Sequence, residues 1–281
     1  MKHDTRSELT GIIPEPLMGL VPRSFDVIGS RGRSVAIVEV PEELSQYEVE
    51  LAKAIMRVHR NVVSVLSKGS ERTGEYRVRE MRIIYGDPDT VVLHRESGCV
   101  FKVDPMKAYF SPRESTERDR ISAQVKDGEN VLVMFSGVGP FAIRIARRHP
   151  GAMITAVELN PYAHNLCVEN ISLNKVDGRV KAILGDVREV CPRLGEKFDR
   201  ILMPLPKGAH QFLDVAVAYI KGGGVLHFYH WAPASSLFVE AERLVAGAAA
   251  ARGRSTQILD EVKVSQYSPR VWKVCLDIAV S

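Results

Sequence analysis

The stretch "FSGVGPFAIRIARRHPGAMITAVELN" at residues 135–160 decides the fold class. The unbroken apolar run "ENVLVMFSG" at residues 129–137 predicts a buried strand that leads into it. The glycines then open a helical pattern, and a second apolar run ends at Glu158. Continuous apolar strands alternating with helices indicate a parallel sheet covered on both faces. The same alternation continues to about residue 231, so we predict an α/β unit there.

The last part of the chain breaks this alternation. "EVKVSQY" at residues 261–267 and "RVWKVCLDIAV" at residues 270–280 follow each other with only a short turn between them. Two adjacent strand patterns joined by a turn predict an antiparallel pair. A parallel sheet that closes in an antiparallel pair is typical of class I, Rossmann-like methyltransferases. We therefore expect an α/β fold of that class.

The first part of the chain has a different organisation. Residues 1–22 are rich in proline and have no sustained period, which predicts a tail or linker. Strand patterns around one amphipathic helix then predict a small α+β domain over residues 23–107. The α/β domain is expected to cover residues 108–281.

Composition limits the possible functions without selecting one. The chain has 281 residues, of which 45% are apolar and 26% charged, as in ordinary globular proteins. Its net charge of +4 permits a nucleic-acid partner but does not require one. Its four cysteines show no C-x-x-C spacing, so we expect neither a structural metal nor a disulfide framework. No apolar stretch has membrane-spanning length, and we expect a cytoplasmic monomer.

The glycine loop raises the question of a ligand. Gly137 and Gly139 would let a ligand approach the backbone, although such a loop can also be a simple turn. Glu158 and Asp186 end the next two strands, where they would either bind a ribose and a second polar group or cap helices. Pro140 departs from the dinucleotide fingerprint. The combination predicts a nucleoside pocket, with S-adenosylmethionine favoured over NAD.

Three further stretches carry a specific resemblance. They are "YFSPRESTERDRI" at 109–121, "MFSGVGPFAI" at 134–143 and "FDRILMPLPKGAHQFLD" at 198–214. Together they resemble the archaeal and eukaryotic tRNA (guanine-37, N1)-methyltransferases. "GEYRVRE" at 74–80 and "YSPRVWKVCLDI" at 267–278 fit the same family. The resemblance implies methyl transfer from S-adenosylmethionine to N1 of guanine 37, with the tRNA anticodon stem-loop as partner.

The resemblance also implies roles for individual residues. Glu117 would be the general base at N1, and Arg77 would stabilise the charge that develops on O6. The residues implied to bind the target base or its phosphates are Tyr109, Arg113, Arg118, Pro204, Pro206 and Lys207. The residues implied to bind the cofactor are Phe135, Gly137, Val138, Gly139, Pro140, Phe141, Glu158, Asp186 and Val187. From the residues alone, "RESTERDR" at 113–120 also fits a solvated helix start.

Three departures from the family pattern keep alternatives open. The family usually has Asp where this chain has Val133, and Asn where it has Pro204. The extra N-terminal domain that reads the tRNA elbow in many archaeal members is not expected here. The alternatives are aminocarboxypropyl transfer or a later base methylation in wyosine synthesis, and a tRNA-binding homologue without catalysis. "HFYHW" at 227–231 predicts either a sheet-end core cluster or a base-stacking site.

Overall fold

The computed structural model describes residues 4–30, 32–69, 81–205 and 207–281. The chain divides into two compact units, Met1–Arg113 and Glu114–Ser281. This division falls inside the "SPRESTER" motif, six residues after the boundary predicted from the sequence.

The first unit is built on a four-stranded sheet. Its strands are β1 (Asp26–Ser30), β2 (Arg33–Val38), β3 (Val62–Lys68) and β4 (Met81–Gly86), and a separate hairpin has β5 (Val92–Glu96) and β6 (Cys99–Val103). The order is β1-β2-β3-β4, in which β2 and β3 are parallel and the outer pairs antiparallel. Helix α1 (Glu48–Val58) makes the crossover between the two parallel strands and buries its apolar stripe against them. The α+β prediction is confirmed.

The N-terminal segment is not the tail predicted from its prolines. It forms two 3₁₀ helices, Ser7–Leu9 and Glu15–Leu20. Leu9, Ile13 and Val21 are buried in the same apolar cluster as α1. The prolines restrict the backbone of this segment, but its apolar side chains still fill the core of the first unit.

The second unit is a seven-stranded sheet with helices on both sides. Its strands are β7 (Asn130–Met134), β8 (Met153–Glu158), β9 (Val180–Leu184), β10 (Phe198–Met203), β11 (Ile220–Pro233), β12 (Thr256–Ser268) and β13 (Val271–Val280). Its helices are α2 (Ser115–Gln124), α3 (Pro140–Arg148), α4 (Pro161–Leu173), α5 (Val187–Leu194), α6 (Leu213–Tyr219) and α7 (Val239–Ala250).

The sheet order explains where a ligand can bind. The order is β12-β13-β11-β10-β7-β8-β9, with parallel pairing from β11 to β9 and antiparallel pairing of β13 with both of its neighbours. The predicted closing pair is therefore present. Because the five parallel strands point the same way, their carboxyl ends meet at one edge of the sheet, where ligands of such sheets gather.

The two faces of this sheet have different chemistry. One face carries a large apolar cluster that includes Leu132, Met203 and Phe228 and packs under α5, α6 and α7. Side chains alternate along a strand, so the neighbouring residues Val133, Leu202 and Tyr229 lie on the opposite face. That second face contains the polar groups described below. Among the described residues, no helix is long and apolar enough to span a bilayer.

We predict that the N-terminal segment stabilises the first unit. Leu9→Ala removes a fully buried side chain and should lower the free energy of unfolding by about 2–5 kcal/mol. The matched control Ile12→Ala, at a side chain that is 43% exposed, should change it by less than about 0.5 kcal/mol. Urea unfolding measures both values. If Leu9→Ala lowered the free energy of unfolding as little as Ile12→Ala, the segment would behave as a tail.

Candidate functional site

The glycine loop joins β7 to α3 at the carboxyl edge of the sheet. Phe135 has a φ of 56°, a conformation that costs free energy for a residue with a side chain, and its ring packs edge-on against Phe212 at 4.9 Å. Gly137 and Gly139 have φ values of 57° and 87°. A strained non-glycine residue beside two glycines in the left-handed region is typical of a loop shaped for a ligand.

The two glycines serve different purposes. The N–H of Gly137 donates to Glu158 Oε2 at 2.6 Å, so the loop is tied to the end of β8. A Cβ on Gly139 would lie 2.7 Å from Cys167 Sγ, so this glycine permits close packing of the loop against α4. Cys167 itself is buried, and burial raises the pKa of its thiol to about 12. Gly139 therefore has a packing role that the sequence pattern did not reveal.

Glu158 has the environment of a ligand-binding carboxylate. Its other oxygen accepts from the Asn160 N–H at 2.8 Å, and burial raises the pKa of its carboxyl against the effect of these backbone bonds. A carboxylate has about four acceptor positions, so the Gly137 and Asn160 bonds leave capacity for a further donor such as a ribose hydroxyl. Asp186 instead caps α5, because its side chain accepts from the Arg188 N–H at 2.8 Å.

The remaining residues predicted for this pocket differ in exposure. Pro140 begins α3, where its missing N–H costs nothing. Val138, Phe141 and Val187 have buried side chains. The Phe141 ring lies 6.2 Å from the ring of Tyr229, so the start of α3 contacts the polar face of the sheet at that point.

The predicted base, Glu117, lies on α2 and is only 6% exposed. Arg120 donates to it twice, with its Nε to Oε2 at 2.8 Å and its Nη2 to Oε1 at 2.8 Å. The hydroxyl of Tyr229 donates to Oε1 at 2.6 Å. Burial lowers the pKa of Arg120, but the bonds to Glu117 and Asp277 outweigh it and raise that pKa well above its ordinary value. Together these donors hold the carboxylate of Glu117 in one orientation.

Asp277 on β13 connects this cluster to the neighbouring strand β11. Its carboxylate accepts from Arg120 Nη1 at 2.5 Å, from Gln124 Nε2 at 2.7 Å and from His227 Nδ1 at 2.6 Å. Burial raises its pKa, but the bonds from His227 and Arg120 hold that pKa far below its ordinary value. We refer to Glu117, Arg120, Tyr229, His227 and Asp277 as the α2 network. No local sequence pattern predicts this network, because its members lie far apart along the chain.

The protonation of His227 follows from its partners. Arg200 Nη1 lies 2.6 Å from Nε2, and a guanidinium can only donate, so Nε2 must be the unprotonated nitrogen. Nδ1 then carries the proton that Asp277 accepts. Burial, aided by the charge of Arg200, lowers the pKa of His227 more than Asp277 raises it. The imidazole is therefore neutral at neutral pH.

The α2 network is not arranged as a metal centre. His227, Cys275 and Asp277 place potential ligand atoms within 4.8 Å of one another. However, His227 and Asp277 already bond to each other, and the guanidiniums of Arg120 and Arg200 contact the same groups. Two fixed cations beside the cluster would repel a metal ion.

Arg118 corrects one of our expectations. Its side chain is 2% exposed and lies 4.0 Å from Glu114, which also accepts from Lys273 Nζ at 2.8 Å. A cation at that depth cannot reach an RNA phosphate without rearrangement, so we assign Arg118 to the interior of the second unit. The same burial rules out a solvated start for α2, since Glu114, Glu117 and Arg118 are all buried.

The other predicted substrate residues are exposed, half-buried or outside the described part of the chain. In the first unit, Tyr109 is 44% exposed, and Arg113 forms an ion pair with Asp26. In the second unit, Lys207 is exposed and Pro204 half-buried after β10. Arg77 and Pro206 fall outside the described residues. Val133, the first departure from the family pattern, is 1% exposed within β7.

We predict that His227 makes stability depend on pH. The unfolded chain protonates this imidazole below about pH 6.5, whereas the folded chain resists protonation, so the unfolded state binds more protons. The free energy of unfolding should then fall by up to about 1.4 kcal/mol per pH unit as pH drops below that value. Urea unfolding between pH 7.5 and about 5 measures the slope.

His227→Gln should flatten this slope, since glutamine can donate to Asp277 and accept from Arg200 without titrating. The matched control His210→Gln, at an exposed histidine, should leave the slope unchanged. An identical slope in the His227 variant and the wild type would show that His227 is not the titrating group.

Comparisons with known proteins identify the family to which the chain belongs. A model of the "TRM5/TYW2 methyltransferase domain" matches residues 92–258, and a model of the "TYW2 N-terminal domain" matches residues 5–90. The chain is 41% identical to the tRNA (guanine(37)-N(1))-methyltransferase Trm5b of Pyrococcus abyssi, over 96% of this chain and 78% of that protein. It is 34% identical to a tRNA(Phe) (4-demethylwyosine(37)-C(7)) aminocarboxypropyltransferase of Pyrococcus horikoshii, over 100% and 97%.

Solved structures of Trm5 and TYW2 proteins are also similar to this chain. The structure described as the complex of aTrm5 and tRNALeu has a TM-score of 0.86 and 32% identity, covering 100% of this chain and 79% of that one. P. horikoshii TYW2 in complex with MeSAdo has a TM-score of 0.81 and 31% identity, covering 98% and 97%. The family model covers more than half of the chain, and the relatives exceed 30% identity over nearly all of it. The chain therefore belongs to the TRM5/TYW2 methyltransferase family.

Proposed function

We propose that this protein transfers a methyl group from S-adenosylmethionine to N1 of guanine 37 in tRNA. The observation that carries the proposal is the position of Glu117. Tyr229 donates to its carboxylate and also contacts Phe141, the second residue of the helix that follows the glycine loop. N1 methylation requires a proton acceptor beside the methyl donor, and Glu117 would be that acceptor.

The residues at the carboxyl edge of the sheet fit S-adenosylmethionine. Glu158 would accept from the ribose hydroxyls, and Phe135 and Gly137 would present backbone to the rest of the molecule. Asp186 lies at the neighbouring strand end. Its carboxylate caps α5 but has further acceptor positions, with which it would accept a hydrogen bond from the adenosine part of the cofactor. When bound, the cofactor supplies an electrophilic methyl group on a sulfonium.

Glu117 would act on the target base as a general base. Its carboxylate accepts the proton from N1 of guanine, which leaves an electron pair on N1 for attack on the methyl group. Arg120 and Tyr229 hold the carboxylate in one orientation, so that little conformational freedom is lost when the base arrives. Arg77, outside the described residues, would stabilise the negative charge on O6.

The target nucleotide would be bound by exposed residues. We propose that Tyr109 supports the guanine and that Arg113 and Lys207 contact phosphates, since all three side chains are exposed. Pro204 lacks the side-chain amide of the usual asparagine. The backbone carbonyl of Pro204 would then be the group that remains for base recognition at this position.

A second candidate is aminocarboxypropyl transfer in the wyosine pathway. The match of residues 5–90 to the TYW2 N-terminal domain favours it, as does the near-complete coverage of the P. horikoshii aminocarboxypropyltransferase. The higher identity to Trm5b and the "SPRESTER" motif favour methyl transfer. Both reactions start from the same cofactor, so they are distinguished by the group that is transferred.

We predict that the purified protein converts guanosine 37 to N1-methylguanosine in an unmodified tRNA transcript supplied with S-adenosylmethionine. A transcript with adenosine 37 should remain unmodified, because adenine carries an amino group where guanine has the O6 that Arg77 would contact. Nucleoside mass analysis measures both products. A parallel calorimetric titration with S-adenosylmethionine measures cofactor binding.

Each contrary result has its own meaning. An aminocarboxypropyl adduct on a demethylwyosine-containing tRNA, with guanosine 37 unmodified, would replace the proposal by the second candidate. Cofactor binding without any product would exclude guanosine 37 as the substrate. No binding of the cofactor would indicate a homologue without catalysis.

A further inference from the structure

Trp231, near the end of β11, and Tyr267, near the end of β12, form an aromatic pair that the proposed chemistry does not use. The rings of Trp231 and Tyr267 lie 4.4 Å apart at an angle of 44°. Tyr267 is 51% exposed although it lies in a strand of the sheet. The other aromatic residues of the "HFYHW" segment, Phe228 and Tyr229, are completely buried, which confirms the core-cluster interpretation for them but not for Trp231.

Strand register places this pair beyond the carboxyl edge of the sheet. β10 ends at Met203, which is paired with Phe228, but β11 continues for five residues to Pro233. Pro233 is paired with Val271, the first residue of β13, so the turn between β12 and β13 also lies beyond that edge. Because β7, β10 and β11 are parallel, this is the edge at which the glycine loop begins.

The pair also lies on the face of the sheet that carries Glu117. Tyr229, which donates to Glu117, and Trp231 are two residues apart on β11, so their side chains share a face about 7 Å apart along the strand. Lys273 is paired with Trp231 and holds Glu114 at the start of α2. Trp231 is therefore the next aromatic side chain outward from the network that orients Glu117.

An exposed arginine follows three residues after Tyr267 in the chain. Arg270, in the turn between β12 and β13, is exposed, and its carbonyl accepts from the Ala234 N–H at 2.9 Å. The turn is thus fixed against the chain that leaves β11. Aromatic rings that are at least partly accessible, together with a cation, bind single-stranded nucleic acid, since bases stack on the rings and phosphates pair with the cation.

We propose that Trp231 and Tyr267 form a stacking platform for an unpaired nucleobase of the RNA substrate, with Arg270 at the adjoining phosphate. The inference rests on the proposed function for the identity of the RNA, whose single-stranded loop contains the target guanine. A nucleotide next to the target would stack on Tyr267 while the target itself reaches Glu117. The platform would thus select an unpaired loop by its shape and stacking rather than by base identity.

The tryptophan content of the chain allows a direct test, because Trp231 and Trp272 are its two tryptophans. By strand alternation Trp272 lies on the opposite face, where Lys263 Nζ is 5.2 Å from its ring. In Trp272→Phe, fluorescence reports Trp231 alone, and titration with an RNA hairpin that has the anticodon loop with guanosine 37 should quench it. In Trp231→Phe, the same titration should leave the fluorescence of Trp272 nearly unchanged.

Kinetics provide the second arm of the test. Tyr267→Ala should raise the KM for the tRNA transcript by about 5- to 100-fold, the range expected for loss of one stacked base, with little change in kcat. Tyr267→Phe keeps the ring and should keep the wild-type KM. Because Tyr267 is exposed, both variants should unfold at the wild-type temperature, which separates lost binding from lost folding.

The outcomes separate this inference from the proposed function. Wild-type methylation of guanosine 37 with no quenching of Trp231 and no change of KM in Tyr267→Ala would overturn the platform and leave the function intact. Quenching of Trp231 by the hairpin without methylation would support the platform and count against the function. Quenching that follows protein concentration alone, without RNA, would assign this surface to self-association and overturn the inference.

Discussion

The hydrogen bonds of the buried Asp277 carboxylate are the interaction on which the second unit depends most. It lies within the sheet on β13, yet it accepts from Arg120 and Gln124 on α2 and from His227 on β11. A buried carboxylate is costly unless cations and donors surround it, and removing one partner of such a pair costs about 3–5 kcal/mol. These bonds couple the position and orientation of α2 to the sheet. They also fix the carboxylate of Glu117, which lies one helical turn from Arg120 on α2.

This coupling gives a physical reason for the form of the site. Arg120 donates to Asp277 and to Glu117 at the same time. Its guanidinium therefore fixes the position of the Glu117 carboxylate relative to the sheet. Tyr229 adds a bond from β11, and its ring contacts the helix that follows the glycine loop. The proposed proton acceptor and the helix after the glycine loop thus both contact Tyr229 on β11. A preorganised acceptor of this kind needs no rearrangement during the reaction.

Sequence patterns predicted the elements of the site better than its connections. Continuous apolar strands and the glycine loop predicted the parallel sheet, its closing antiparallel pair and the strand-end positions of Glu158 and Asp186. They left open whether Asp186 binds a ligand or caps a helix, and they did not reveal that Gly139 makes room for Cys167 or that Arg118 is buried. The α2 network joins Glu117 to Asp277 across most of the second unit, and no local pattern records such a pairing. The prediction of an N-terminal tail was wrong for a related reason, since the few apolar residues of that segment are buried only through tertiary contacts.

In the proposed reaction Glu117 accepts the N1 proton, and Tyr229 acts only through Glu117. A double-mutant cycle on the single-turnover rate of guanosine 37 methylation tests this most directly, with tRNA and cofactor saturating. Glu117→Gln should slow the step by about 100-fold or more, and Tyr229→Phe should slow it less. The double variant should be no slower than Glu117→Gln alone. Effects that multiply, or a wild-type rate in Glu117→Gln, would contradict the account.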